Sequence, residues 1–160
     1  MISRGCSPTL GFFLLCLGIF IALEVGSRAL GPIAYSPRGV SFYGAEVIKV
    51  YDGDTITVNL PGDLPSLFGR AIPVRVLGID APELRGKCTQ ETNLAIEARN
   101  LVETLIGHRR RVDIHQTTRG KYFRIVGEVM VGSTSIATVL LERGLAVRYD
   151  GGTKTKDWCR

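Results

Sequence analysis

Residues 74–83, Val-Arg-Val-Leu-Gly-Ile-Asp-Ala-Pro-Glu, constrain the fold more than any other stretch of the chain. Val74 and Val76 flank Arg75 with the two-residue alternation of a half-buried strand. Gly78 and Pro82 then turn the chain where two carboxylates, Asp80 and Glu83, are delivered. About twenty residues upstream, Asp52-Gly53-Asp54-Thr55 sets another carboxylate at the start of a second strand over residues 56–60. Three acids and an arginine can therefore converge at the ends of neighbouring strands. Fully extended, the steps from Arg75 to Asp80 would span about 17 Å, too far to share one ligand, so the chain must bend near Gly78.

Taken singly, Asp-Gly is a turn, and Asp80 and Glu83 are solvated loop acids. Their joint occurrence points elsewhere. Carboxylate oxygens are hard ligands for Ca²⁺ or Mg²⁺, and a guanidinium fork clamps phosphate. Together they suggest chemistry on a phosphodiester.

Further segments fall into register with these. Val50-Tyr51-Asp52-Gly53-Asp54-Thr55, residues 74–83, Lys121-Tyr122-Phe123-Arg124 and Gly144-Leu145-Ala146 occur in the order and spacing of the staphylococcal nuclease-like (thermonuclease) family, which the chain resembles over about residues 44–150. The resemblance implies an OB-fold and a nuclease acting on DNA and RNA. It implies Ca²⁺ ligation by Asp54, Asp80 and the backbone carbonyl of Ala81, with Glu83 holding or activating the attacking water. Arg75 and Arg124 would grip the scissile phosphate, and Lys121 and Tyr122 would contact a terminal phosphate. Departures from the family pattern are Ala81 for a frequent threonine, Gly120 for an acid, and Phe123 where glycine is common. The last two bear on how the turn presents Arg124. The short tail, Tyr149-Asp150-Gly151-Gly152 followed by Trp158-Cys159, resembles that of exported bacterial relatives, in which it is pinned near the segment holding Cys88.

The 160 residues suit one domain with an appendage. The net charge is +5, and without Arg4, Arg28 and Glu24 of the first 29 residues it is +4, a balance that favours polyanionic partners. Residues 5–23 carry no charge and include the apolar run 10–23 behind Arg4. As a helix this stretch would reach about 28 Å, against a hydrocarbon core of about 30 Å. Residues 1–29 are therefore read as a signal peptide, with Ser27-Arg28-Ala29 near the cleavage point, or as a membrane anchor. Either way the domain is expected outside the cytoplasm, secreted or periplasmic, or held at the inner membrane. Export would expose Cys88 and Cys159 to an oxidising compartment, where a bridge closing a loop of about seventy residues could stabilise by roughly 4 kcal/mol. A zinc site built from Cys88, Cys159, His108 and His115 lacks the tight Cys-x-x-Cys spacing.

Residues 31–44, with Pro32, Pro37 and Gly39 and no period, read as a linker, so the domains are 1–29 leader, 30–43 linker and 44–160 nuclease domain. Strands are expected over 47–51 and 55–60, and the apolar loop of Leu64, Leu67 and Phe68 is expected to cap the barrel or touch substrate bases. Residues 90–106 have the period of an amphipathic helix, with Glu91, Glu97 and Glu103 on its solvated face and Gly107 as its stop. Arg109-Arg110-Arg111 opens the next strand as a solvated turn or a backbone-tracking patch, and His108 and His115 read as surface residues. A turn over 118–121 leads into a strand over 122–131 carrying Arg124. Ser133 or Ser135 caps a last helix ended by Gly144. The expected fold is mainly β with α: a five-stranded OB barrel with two or three helices, behind an N-terminal hydrophobic helix. The expected protein is a monomer. Two other readings are a non-catalytic OB-type nucleic-acid-binding module and a membrane-tethered envelope interaction protein.

Overall fold

A computed structural model of the chain describes residues 33–36 and 39–160, with side-chain surroundings from residue 39. The expected leader 1–29, its apolar run, Cys6, Cys16 and residues 30–32 and 37–38 of the expected linker lie outside the described residues.

The core is a closed barrel. Strands β1 (Ile33–Ser36), β2 (Gly39–Val50), β3 (Thr55–Asn59) and β4 (Ile72–Val76) pair antiparallel in sequence order. β4 then runs parallel to β7 (Ile125–Val131), β7 pairs antiparallel with β6 (Arg111–Arg119), and β6 returns to β2, closing a five-stranded ring with β1 outside it. This is an OB-fold, with its helix after the third barrel strand. Alternation decides what faces inward: Ile56 and Val58 on β3, Val74 and Val76 on β4, Val112 and Ile114 on β6 are all buried. Each such side chain contributes roughly 1.5–3 kcal/mol on leaving water.

The predicted first strand starts too late. Residues 39–43, read as linker, form the opening of β2, which bends through register shifts between Val40 and Phe42 and between Phe42 and Ala45. Gly39 and Gly44, which look like linker residues, serve a strand that must curve round the barrel.

Helix α1 (Ser66–Gly69) is a single turn in the loop after β3. Leu64 of that loop packs on the core, as a cap would, but Leu67 and Phe68 stay exposed and line a groove of about 660 Å³ with Phe42 and Phe123. Helix α2 (Thr89–Ile106) buries Ala95, Ala98, Val102 and Ile106, with the Cys88 sulfur accepting from Glu91 N–H at its start and Gly107 at its end. Strand β8 (Thr134–Ser135) leads into helix α3 (Ile136–Glu142), capped by the Ser135 hydroxyl accepting from Thr138 N–H. A separate two-stranded sheet joins β5 (Ile79–Asp80) to β9 (Val147–Arg148). Among the described residues no helix is long and apolar enough to cross a membrane.

Candidate active site

The Asp-Gly-Asp turn between β2 and β3 lies tight against α2: a Cβ on Gly53 would come within 2.7 Å of the Ala98 methyl and 3.0 Å of the Ala81 methyl. Only glycine lets the turn come so close, which brings Asp54 beside Ala81, whose N–H donates to Asp54 Oδ2 at 3.0 Å. At the other side, Gly78 takes φ +83° and makes the expected bend, so that β5 folds back toward β4. Arg75, paired with Thr55 across β3 and β4, then spans both acids. Its Nη1 donates to Asp54 Oδ1 at 2.7 Å, and its Nη2 to Asp80 Oδ1 at 3.2 Å and to the Ile79 carbonyl at 3.3 Å.

The acids outnumber the cations beside them. Burial, the charge of Asp54 and that of Glu83 push Asp52 up to about 7, although it accepts from the backbone N–H groups of Asp54 and Thr55. Burial also raises Asp54, against the opposing pull of Arg75, the Ala81 N–H and the Thr55 hydroxyl. Lys154 supplies a second cation, its Nζ 2.8 Å from Asp80 Oδ1 and 2.6 Å from Glu83 Oε1. Burial works against that ammonium, but its bonds to the two carboxylates prevail and hold its pKa above the usual lysine value.

In front of these groups opens a cleft of about 710 Å³ whose walls include Arg75, Glu83, Lys121, Arg124, Tyr149 and Lys154. Asp54 and Asp80 stand behind Arg75, almost fully buried. The Arg75 guanidinium lies 5.6 Å from the Tyr149 ring centroid. Arg124 is not on a strand, as predicted, but one residue ahead of β7, closing a turn in which Gly120 N–H donates to its carbonyl at 2.7 Å. Tyr122 and Phe123 precede it with φ of 57° and 58°. Left-handed backbone at Phe123 accounts for the glycine common at that position in the resembled family. The turn sends Lys121 and Arg124 into the cleft, while Tyr122, expected beside them, is almost fully exposed and is not part of the cleft wall. The Arg124 Nε is buried and has no hydrogen-bond partner.

The donors suit a hard cation in kind, with the Asp54 and Asp80 carboxylates and the Ala81 carbonyl, although Arg75 and Lys154 already pair with those carboxylates. Among the described residues, however, no three His, Cys, Asp or Glu side chains gather closely enough to hold an ion by themselves. Two carboxylates and a carbonyl would leave most of a six- to eight-fold shell to water and substrate.

Several residues were missed or misread from sequence. Asp52 is visible in the Asp-Gly-Asp doublet, yet only its burial separates it from a turn acid. Glu91 is not on the solvated face of α2: it is buried, accepting from Lys87 N–H at 2.7 Å and Glu83 N–H at 3.5 Å. Lys154 has no local signal except its nearness to Cys159. That cysteine is bonded to Cys88, across 71 residues, as expected. Two of the three consecutive arginines are held by the fold. Arg110 Nε donates to the Val47 carbonyl at 2.8 Å and pairs with Glu103, and Arg111 Nη1 donates to the Gly44 carbonyl at 3.0 Å. His115 packs edge-on against Tyr43 and takes no part in the cleft.

Comparison with known proteins agrees with this geometry. Residues 73–158 match the family described as staphylococcal nuclease homologue. The chain is 31% identical over 97 residues to a probable endonuclease, LCL3, of Pyricularia oryzae, covering 58% of this chain and 37% of the relative. It is 33% identical over 99 residues to its counterpart in Phaeosphaeria nodorum, covering 58% and 33%. The chain thus spans about a third of the length of the curated relatives it matches. With a barrel of this topology, paired acids spanned by Arg75, and a family match over more than half its length, the chain belongs to the staphylococcal nuclease homologue family.

Proposed function

We propose that the chain is a nuclease that hydrolyses phosphodiester bonds of DNA and RNA, Ca²⁺-dependent and with little sequence specificity. The observation that carries this reading is the Arg124 Nε: a buried charged donor without an acceptor, in the wall of a cleft that also holds Arg75 and Glu83. Leaving such a donor unpaired costs about 1–3 kcal/mol or more, and a phosphate oxygen would relieve it.

In-line displacement at a phosphodiester builds charge on its oxygens. Arg75 and Arg124, preorganised in the cleft, would stabilise that charge more in the transition state than in the ground state. Glu83, partly exposed at the cleft wall, is the group that can take a proton from an attacking water. A Ca²⁺ ion held by Asp54, Asp80 and the Ala81 carbonyl would, when bound, neutralise phosphate charge. Proton transfer by one base contributes about 10²- to 10⁴-fold, short of what such hydrolysis requires, so charge stabilisation must supply the rest. Contacts to phosphate carry no sequence information, which is the basis for proposing little specificity.

We also propose that the domain works as a monomer outside the cytoplasm, in the manner of exported bacterial relatives, secreted or periplasmic or tethered through residues 5–23. The Cys88–Cys159 bond favours an oxidising compartment. The test is a zymogram of the purified chain and its Glu83→Gln variant on single-stranded DNA and on RNA, with Ca²⁺ and with chelator. Clearing by wild type with Ca²⁺ alone is expected, and full clearing by Glu83→Gln would remove that residue from the chemistry.

A further inference from the structure

The loop that carries Asp80, Ala81 and Glu83 is held at both ends by one C-terminal segment. At its start, β5 pairs with β9, Ile79 opposite Arg148 and Asp80 opposite Val147, and Tyr149 N–H donates to the Gly78 carbonyl at 3.0 Å. At its far end, Cys88 is bonded to Cys159, and the neighbouring Trp158 is buried. Between these two anchors the segment reaches back only once with a charged side chain, placing Lys154 Nζ on Asp80 Oδ1 and Glu83 Oε1. The loop has its own internal tie, since the buried Glu91 carboxylate accepts from both Lys87 and Glu83 N–H groups. That tie fixes the backbone at Glu83 but not its carboxylate, which is about half exposed.

We propose that Lys154 is a positioning residue for Glu83, and that residues 147–159 form a strap whose disulfide holds that lysine in place. A glutamate side chain has three rotatable bonds and, at this exposure, would otherwise sample several rotamers. A doubly anchored ammonium selects one of them and couples Glu83 to the buried Asp80. Catalysis falls steeply when a reacting group is displaced by an ångström, so the contact should act on turnover more than on substrate binding. Breaking the disulfide frees one end of the strap and should weaken the same contact, leaving the β5–β9 pairing in place.

The proposal rests on the nuclease reading for its consequence, but the contact itself can be observed without turnover. The experiment uses the full chain, its Lys154→Met and Lys154→Arg variants, a Cys88→Ser/Cys159→Ser variant, and that pair combined with Lys154→Met. The Glu83 side-chain carboxyl ¹³C signal is followed by NMR, and kcat and KM are measured on single-stranded DNA. Lys154→Met should shift the Glu83 signal and lower kcat by about 10- to 100-fold with KM within about twofold. Lys154→Arg should restore most of the loss. The cysteine pair should shift the signal in the same direction, and adding Lys154→Met to it should cost less than the two separate losses multiplied together.

An unmoved Glu83 signal in Lys154→Met overturns the positioning role, as does a loss confined to KM. Independent, multiplicative losses overturn the tether. A wild-type chain that hydrolyses nothing, while its Glu83 signal still answers to Lys154, sinks the nuclease reading and upholds the contact.

Discussion

The barrel and the acid loop are held together by different physics. Inside the ring, Ile56, Val58, Val74, Val76, Val112, Ile114 and Val129 meet as apolar side chains from four of its five strands, and each can be exchanged for a similar shape at modest cost. Around the acid loop the ties are polar and covalent: Arg75 across Asp54 and Asp80, Glu91 on two backbone N–H groups, Lys154 on two carboxylates, Cys88 on Cys159. Apolar packing tolerates change of identity and penalises change of volume. The polar network does the reverse, since a partner of the right size and wrong donor pattern leaves buried groups unsatisfied.

That contrast can be broken in order of expected effect. Arg124→Lys keeps the charge but loses the planar fork, and kcat on DNA should fall by about 10²- to 10³-fold while the thermal midpoint barely moves. A retained rate would end its role as a clamp. In the barrel, Ile114→Ala should do the opposite. Chemical denaturation should register a loss of about 2–5 kcal/mol, and whatever protein stays folded should keep its turnover.

Cys88→Ser/Cys159→Ser should cost about 2–4 kcal/mol by the same measurement. The loss should fall unevenly, with hydrogen exchange accelerated over residues 79–88 and 147–159 and little changed in β3, β4 and β6. Uniform acceleration would mean that the two regions unfold as one. A further effect concerns pH. Because Asp52 binds its proton more tightly folded than unfolded, its contribution is present in full below 3.8 and is lost as pH rises toward about 7. Without divalent ions the thermal midpoint should therefore decline across that window, and Asp52→Asn should flatten the decline.

What was legible in the sequence follows the same division. Two-residue alternation marks β3 and β4, and helical spacing marks α2, because an apolar stripe leaves a periodic trace whatever it packs against. The opening of β2 left none, since Gly39 and Gly44 interrupt the pattern where the strand bends. Around the cleft, the nearness of Asp54, Arg75, Asp80, Glu83 and Arg124 to one another was legible, because short motifs keep them near turns. Glu91 was not: its partners are backbone N–H groups of a loop, and nothing in a helical period distinguishes an acid turned toward a loop from one turned toward water. Lys154 was hidden for a similar reason, lying 71 residues from Glu83 on a stretch without periodicity.

The seam that completes the ring sets a condition on how the molecule is made. Thr117 Oγ1 donates to the Val40 carbonyl at 2.6 Å across 77 residues of chain, and β2 meets β6 along the whole of that join. Neighbouring hairpins can zip early, but this closure must wait for distant segments to find each other, a search that places folding nearer milliseconds to seconds than microseconds. Until it succeeds, the edges of β2 and β6 remain open to pairing with other chains.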